Sequence, residues 1–98
     1  MFEPGTSFSY NNSAFVFLAI IIEELTGNYY KWIEEEVLQK AHMNASGFFM
    51  LDQLPENCAN GYIRIEPNNY QTNIYLMPII AGGDGGMFTT AQDMHSFW

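Results

Sequence analysis

One uninterrupted apolar run constrains the fold of this chain more than any other feature. Residues Ala14 to Ile22 are nine consecutive apolar side chains, and the pattern continues to Leu25 with Glu23 and Glu24 as its only charges. A membrane span needs about twenty such residues, whereas a globular protein buries a helix that is apolar on most of its faces. The run therefore predicts a buried core helix.

The residues that flank this run predict where the helix begins and ends. Asn11, Asn12 and Ser13 carry side chains that can accept hydrogen bonds from the first N–H groups of a helix. Gly27 follows the run, and glycine suits the left-handed position just after a helix. We therefore expect a helix over residues Ala14–Leu25.

Helical spacing returns in the next segment, from Tyr29 to Lys40. Its apolar residues recur every three or four positions, and its polar side carries Glu34, Glu35 and Glu36. Consecutive helical residues point about 100° apart, so these carboxylates cannot converge on a metal ion or act as an acid–base pair. We interpret them as a solvated helix face.

The second half of the chain predicts a small β-hairpin after a long loop. Residues 42–60 carry turn signals at Asn44, Ser46-Gly47, Asp52 and Pro55-Glu56-Asn57 and favour a loop. Two segments rich in β-branched and aromatic residues follow, Tyr62–Ile65 and Thr72–Leu76, and they predict two strands joined by four to six residues.

A glycine-rich loop and a final helix complete the predicted architecture. The segment Ala81–Gly86 contains four glycines and excludes regular structure. Thr90, with Asp93 three positions later, has the spacing of a capping box and predicts a helix that continues to Trp98. The fold class expected from all these elements is mainly α with a small β-hairpin.

Charge and composition exclude several classes of function. The 98 residues carry eleven acidic and three basic side chains, for a formal net charge of −8. Lys31, Lys40 and Arg64 cannot neutralise a nucleic-acid backbone or hold the chain on an anionic membrane. At 48% hydrophobic and 16% aromatic residues the chain is too apolar for disorder, and its aromatic content indicates surface that meets a partner.

The remaining side chains that could bind a metal or react with a substrate do not form a site by their spacing in the sequence. Cys58 is the sole cysteine, so neither an intrachain disulfide nor a zinc cluster is expected, and we interpret it as a partly buried apolar group. His42 and His95 lack metal-ligand spacing and are interpreted as structural or surface residues. The glycines around Asp84 lack nucleotide-binding spacing, and its carboxylate would repel phosphate. No metal or organic cofactor is therefore expected.

The segment that leads into the apolar run carries the most specific pattern of the chain. Its residues, continued through the run, are Phe2, Pro4, Gly5, Phe8, Tyr10, Asn12, Phe15, Leu18, Ile21, Ile22, Glu23, Thr26 and Gly27. In this order and spacing they resemble the Y-x-N motif of the serine β-lactamase and penicillin-binding-protein superfamily, in its class C β-lactamase branch. Three further blocks extend the resemblance over essentially the whole chain: residues 37–44, which lack the usual Pro-Leu-Gly, residues 54–62 and residues 82–98.

The resemblance implies an acyl-serine mechanism. In this superfamily a serine of an S-x-x-K motif attacks a carbonyl carbon, and the lysine and the tyrosine of Y-x-N move protons. Carried over by position, Tyr10 resembles the proton-transfer tyrosine and Asn12 the polar contact to the substrate. A phenol ordinarily has a pKa of about 10, so it acts as a base near neutral pH only where cationic neighbours favour the phenolate.

The chain lacks the other two motifs of the superfamily. The residues three positions before Lys31 and Lys40 are Asn28 and Val37 instead of serine, and no K-T-G or H-x-G occurs. In the superfamily these motifs lie upstream of Y-x-N and near the C-terminus. We therefore expect residues 1–98 to be a single internal fragment, mostly the helical subdomain, of a β-lactamase-like α/β + α domain, inactive by itself.

The resemblance leaves several functional alternatives open. The parent is expected to be a class C-like serine hydrolase, that is a β-lactamase, a D-Ala-D-Ala peptidase or an esterase, with a small-molecule or peptide substrate. The fragment would pair with the remainder of that domain or, through exposed apolar surface, with a second copy. Resemblance alone indicates a bacterial cell-envelope or extracellular location. The other class of function is a stand-alone acidic interaction module. Within the isolated fragment we expect a structural role for the two motif residues, with Tyr10 packed on Phe15 and Asn12 as the N-cap.

Overall fold

Helices and one hairpin, joined by long loops, make up this chain. The computed structural model describes residues 2–98. Within them lie the helices α1 (Asn12–Thr26), α2 (Tyr29–Ile33) and α3 (Ala91–Phe97), the strands β1 (Tyr62–Glu66) and β2 (Asn69–Thr72), a π-helical turn (Glu34–Leu38) and a 3-10 turn (Ile74–Leu76). The predicted fold class, mainly α with a small hairpin, is confirmed.

The caps of α1 form among the residues that the sequence indicated. Asn11 is the N-cap, and its Oδ1 accepts a hydrogen bond from the Ala14 N–H at 3.0 Å. At the other end Gly27 has a φ of 80°, and its N–H donates to the Glu23 carbonyl at 2.7 Å, which closes the helix in the left-handed conformation. Since Asn11 caps the helix, the alternative in which Asn12 is the N-cap is wrong.

The predicted burial of α1 is wrong for this chain. Across α1, all of which is described, no residue is buried, and Leu18 and Ile21 are 56% and 53% exposed. The physical reason is that α2 and the loop around Gly83 contact one side of α1 and leave its other apolar faces open. The most buried residues lie elsewhere, at Leu38, Met43, Ala81 and Asp93.

The second helix changes its hydrogen-bond pattern after Ile33. The next five residues, Glu34–Leu38, form a π-helical turn that is closed by a hydrogen bond from the Gln39 N–H to the Glu34 carbonyl at 2.9 Å. Such single π turns occur as bulges within α-helices. The prediction of one regular helix as far as Lys40 is therefore wrong. The α-helix ends at Ile33, and the π-helical turn that follows ends at Leu38, two residues before the predicted end.

The hairpin is shorter and lies earlier than predicted. β1 and β2 are antiparallel, with Tyr62 opposite Thr72, and two residues connect them, Pro67 and Asn68. Asn68 has a φ of 65°, which suits the third position of a type II turn whose second position is proline. The predicted strand after Thr72 is wrong because the Ile74–Leu76 segment coils into a 3-10 turn.

A buried carboxylate fastens α3 to the loop that follows the π-helical turn. The Thr90 Oγ1 accepts a hydrogen bond from the Asp93 N–H at 3.1 Å, which confirms the predicted N-cap. The carboxylate of Asp93 does not complete a capping box. Its Oδ2 accepts instead from the Ala45 N–H at 2.8 Å and from the Ser46 hydroxyl at 2.7 Å.

Removing this carboxylate should destabilise the protein. We expect Asp93→Ala to lower the free energy of unfolding by about 1.5–3 kcal/mol, because it removes hydrogen bonds to a charged group and leaves the Ala45 N–H without its acceptor. Urea unfolding followed by circular dichroism measures the change. Gln92→Ala, at an exposed neighbouring position of α3, is the control, and equal midpoints for the two variants would contradict the role of Asp93.

Candidate active site at the N-terminal end of α1

Tyr10 lies in the irregular segment just before α1 and is largely exposed. Its side chain is 76% exposed, and that of Phe15 is 54% exposed. None of the aromatic ring pairs among residues 2–98 includes either ring. The alternative in which Tyr10 packs on Phe15 is therefore wrong. The phenol hydroxyl is open to a ligand or to another part of a protein.

Asn12 is the first residue of α1, and its side chain takes no part in the cap. Because the neighbouring Asn11 supplies the capping oxygen, the Asn12 amide forms no hydrogen bond to another residue of the described chain, and it is exposed. An amide offers both donors and an acceptor. Tyr10 and Asn12 therefore present a proton-carrying group and a polar contact two residues apart, at one end of a helix.

The cationic side chains of this chain are engaged in local contacts. The Lys31 Nζ lies 3.8 Å from the Glu35 carboxylate, and Lys40 binds a glutamate one helical turn before it. The Arg64 Nε donates at 3.4 Å to a backbone carbonyl of its own hairpin. No ion pair or hydrogen bond within residues 2–98 joins any of the three to the phenol of Tyr10. A cation that favours a phenolate there must therefore come from elsewhere.

A tight turn forms in the glycine-rich segment. Gly82 and Gly85 exchange backbone hydrogen bonds at 3.0 Å and 3.3 Å, which leaves the two residues between them at the tip. Immediately before this turn Ala81 is buried, and its carbonyl accepts a hydrogen bond from the Tyr30 hydroxyl at 2.8 Å. We refer to residues 82–85 as the glycine turn.

The glycine turn contacts the face of α1 that carries Asn12. A Cβ atom on Gly83 would lie 2.5 Å from the Phe15 carbonyl oxygen and 2.6 Å from the Ala19 Cβ. Residues three, four and seven positions apart share one face of a helix, so Asn12 lies on the same face as this contact. Backbone packing this close favours glycine at position 83, because a side chain there would collide with α1.

The comparisons with known proteins assign the chain to a family. The family model for beta-lactamase matches residues 1–98. The chain belongs to the beta-lactamase family. It is also similar to a solved structure, the penicillin-binding protein from Bacillus halodurans, at 42% sequence identity and a TM-score of 0.90. That match covers 99% of this chain and 30% of the other protein, so the chain spans under a third of that relative's length. No curated protein matches it.

The other candidate residues of this beta-lactamase-family chain form no second site. Glu34, Glu35 and Glu36 are exposed, as are His42 and His95, in agreement with their interpretation as surface residues. Cys58 is half-buried, as expected. Among residues 2–98 no group of three or more His, Cys, Asp or Glu side chains is placed to hold a metal ion.

No helix within the described part of the chain has the length and apolar character that a membrane crossing requires.

The sequence does not predict the aromatic cluster that forms near the C-terminal half of α1 in this beta-lactamase-family chain. The rings of Tyr29, Tyr30 and Phe48 pack on one another with centroids 5.2 to 5.9 Å apart. Helical spacing identifies Tyr30 as an inward residue, but Phe48 lies in a loop, where no periodicity indicates a partner. Burial raises the pKa of the Tyr29 phenol, and the adjacent Tyr30 contributes in the same direction.

The raised pKa of Tyr29 predicts a loss of stability in alkaline solution. Below a pH of about 10, the ordinary pKa of tyrosine, the phenol is neutral in both states and has no effect. Above it the unfolded chain releases the proton while the folded chain keeps it, so the free energy of unfolding falls. Tyr29→Phe should remove this part of the decline in urea titrations between about pH 9 and 11, whereas Tyr70→Phe, an exposed hairpin control, should retain it. An unchanged slope in Tyr29→Phe would refute the assignment.

The packing of the glycine turn on α1 also yields a prediction about stability. We expect Gly83→Ala to cost about 1–3 kcal/mol, because the added methyl group must displace either the helix backbone or the turn. Gly82→Ala is the matched control, since its Cβ would meet only a carboxylate oxygen of the exposed Asp84 side chain, at 2.9 Å. Denaturant unfolding of both variants separates the two positions. An equal cost for both would mean that the turn does not press on α1.

Proposed function

We propose that this chain is the part of a serine hydrolase that carries the Y-x-N motif, from the helical subdomain of a class C-like enzyme. The observation that carries the proposal is the position of two exposed side chains at the start of α1, Tyr10 and Asn12, of which Asn12 takes no part in the helix cap. They occur in a chain of the beta-lactamase family. Tyr10 transfers protons and Asn12 contacts the substrate. The substrate is a β-lactam, a D-Ala-D-Ala peptide or an ester.

The proposed reaction forms and then hydrolyses an acyl-serine. The hydroxyl proton of a serine in an S-x-x-K motif passes to the Tyr10 phenolate as the serine Oγ bonds to the substrate carbonyl carbon. The bond from that carbon to the leaving nitrogen or oxygen breaks, and the phenol returns the proton to the leaving atom. Water then attacks the acyl-serine by the same proton route, which releases the acid and restores the serine.

This proposal needs a cation that the described chain does not bring to Tyr10. Lys31 and Lys40 are paired with glutamates, and Arg64 bonds within its hairpin. The lysine of the S-x-x-K motif is the group that would favour the phenolate. Because no S-x-x-K occurs in residues 1–98, we propose that the nucleophile and this lysine belong to a segment outside them. The isolated chain is then inactive.

The large exposed surface of the chain supports the proposal that it is part of a larger domain. The chain exposes 8135 Å², whereas a compact monomer of 11.2 kDa exposes about 5,700 Å². Its radius of gyration is 16.3 Å, against about 12.6 Å for a compact domain of the same length. The excess of roughly 2,400 Å² is what one partner contributes to a large protein interface. We infer that the remainder of the hydrolase domain covers this surface and the open faces of α1.

Hydrolysis assays test the proposed function. We expect the full-length protein to hydrolyse nitrocefin or a p-nitrophenyl ester, and the 98-residue chain to hydrolyse neither. Hydrolysis by the 98-residue chain that Tyr10→Phe abolishes would contradict the requirement for an outside nucleophile. A full-length protein that turns over neither class of substrate would contradict the hydrolase proposal itself.

A further inference from the structure

We propose that two copies of the 98-residue chain associate through α1, whose open side pairs antiparallel with the same side of α1 in the second copy. This association goes beyond the proposed function, because it concerns the chain without the remainder of the hydrolase domain. It is supported by the spacing of the exposed apolar side chains of α1, by the positions of the charges on that helix, and by the area that a dimer needs.

One side of α1 faces the rest of the chain. Ala19 and Ile22, three positions apart, are the half-buried residues of this helix, all of which is described. Gly83 lies against Ala19, and α1 shares a groove of about 260 Å³ with α2 and the glycine turn. The contacts of α1 with its own chain therefore lie on this side, and the opposite side is open.

The open side of α1 carries a stripe of apolar side chains. The stripe consists of Ala14, Leu18, Ile21 and Leu25. Its spacing of four, three and four positions is that of the residues through which one helix packs against another in a coiled coil. The three larger side chains are each more than half exposed, as is Phe17 beside them. This apolar stripe is about 16 Å long and contains no charged residue.

The side chains of the apolar stripe complement one another when two copies run antiparallel. A two-fold axis at the middle of the stripe places Leu18 of each copy opposite Ile21 of the other, and the small Ala14 opposite the large Leu25. A parallel pair would place each residue opposite itself, so that two alanines would leave a gap at one end. The antiparallel pair is closed, because the same surface serves both copies.

The charges of α1 favour the same orientation. Glu23 and Glu24 are the charged residues of this helix and lie near its C-terminal end. In a parallel pair the four carboxylates of two copies would lie together and repel one another. In the antiparallel pair they lie at opposite ends, beside the N-terminal half of the facing helix, whose macrodipole attracts negative charge.

The exposed surface of the chain is large enough for a dimer. A stable interface takes about 800 Å² from each partner, which is about a third of the excess that this chain exposes over a compact monomer. The net charge of −8 on each copy opposes association. Salt that screens this charge should therefore strengthen the dimer, whereas it would weaken an interface held by ion pairs.

Sedimentation equilibrium of the 98-residue chain measures the association. We expect the mass to rise with concentration from 11.2 kDa to twice that value, with a dissociation constant of about 10 µM. About 0.5 M NaCl should lower this constant about threefold. Leu18→Glu places two unpaired charges in the interface and should raise the constant about tenfold or more.

Leu76→Glu is the matched control for Leu18→Glu. Leu76 is 71% exposed in the 3-10 turn after β2, so the same substitution adds the same charge outside the proposed interface. Its dissociation constant should stay within about twofold of wild type. Circular dichroism should show the wild-type helical signal in both variants, because neither side chain is buried in the chain.

A mixture of two variants tests the orientation of the pair. Ile21→Lys should be as weakly associated as Leu18→Glu when each is measured by itself. Mixed, they should form a heterodimer, because the introduced carboxylate of one copy faces the introduced ammonium of the other in the antiparallel pair. Two variants that had merely lost their fold would not regain association on mixing.

Several results would overturn the proposal. A wild-type chain that stays at 11.2 kDa up to about 1 mM does so, as does a dimer that Leu18→Glu leaves intact or that Leu76→Glu weakens equally. Assemblies larger than a dimer contradict a closed pair and indicate non-specific apolar clustering. A mixture that stays monomeric contradicts the antiparallel orientation. None of these results affects the proposed function, which turnover by the full-length protein tests separately.

Discussion

We expect Tyr10→Phe to lower kcat of the full-length protein by about 10²- to 10⁴-fold, the loss that follows removal of a general acid–base group. Phenylalanine keeps the ring and lacks only the hydroxyl. Because Tyr10 is 76% exposed in the 98-residue chain and its ring pairs with no other ring in the described residues, the substitution should leave the midpoint of urea unfolding of that chain unchanged. The combination of lost turnover with retained stability is what distinguishes proton transfer from a packing role.

Tyr70→Phe is the matched control for this substitution. Tyr70 lies in β2 and is 60% exposed, so it loses the same hydroxyl from a comparable environment. Its kcat should stay within about twofold of wild type. If Tyr10→Phe retains the wild-type kcat, another group moves the proton, and the role proposed for Tyr10 is wrong.

The second large effect is expected at Leu18 in α1. Although this side chain is 56% exposed in the chain itself, we propose that the rest of the domain buries it. Leu18→Ala should then lower the free energy of unfolding of the full-length protein by about 2–5 kcal/mol, the cost of a cavity in a packed core. Denaturant unfolding of the full-length wild type and variant measures the difference.

Leu18→Met is the control because it conserves the volume and the apolar character of the side chain. It should cost less than about 1.5 kcal/mol. A loss below about 0.5 kcal/mol for Leu18→Ala is typical of an exposed surface position. Such a result would mean that the rest of the domain does not bury Leu18, and it would contradict the inference that this domain covers the open faces of α1.

Local chemistry made the ends of the helices predictable. Asn11 and Thr90 carry acceptor side chains next to the first turn of a helix, and Gly27 supplies the left-handed conformation after the last turn of α1. These interactions reach across three or four residues, so a sequence pattern contains both partners. The Tyr10 and Asn12 motif is of the same kind, because its two members lie two positions apart in one backbone segment.

The features that depend on distant residues could not be predicted. The burial of α1 depends on the segment that packs against it. An apolar pattern indicates that a helix needs such a segment, but it does not indicate whether the segment lies within these 98 residues. The carboxylate of Asp93 was expected to close a capping box, but it binds Ala45 and Ser46, which are almost fifty positions away. The 3-10 turn after β2 shows the same limit, since its β-branched and aromatic residues fit a strand equally well.

The most direct test of the account is to locate the acyl group that a substrate leaves on the full-length protein. Its position shows whether the nucleophile that exchanges protons with Tyr10 is a serine outside residues 1–98. The protein is treated with a penicillin or an activated ester and digested, and peptide mass spectrometry locates the adduct. We predict an acyl group on the serine of an S-x-x-K motif outside residues 1–98, and none on the serines of this chain. An acyl group on Ser7, Ser9, Ser13, Ser46 or Ser96 would contradict the proposed mechanism.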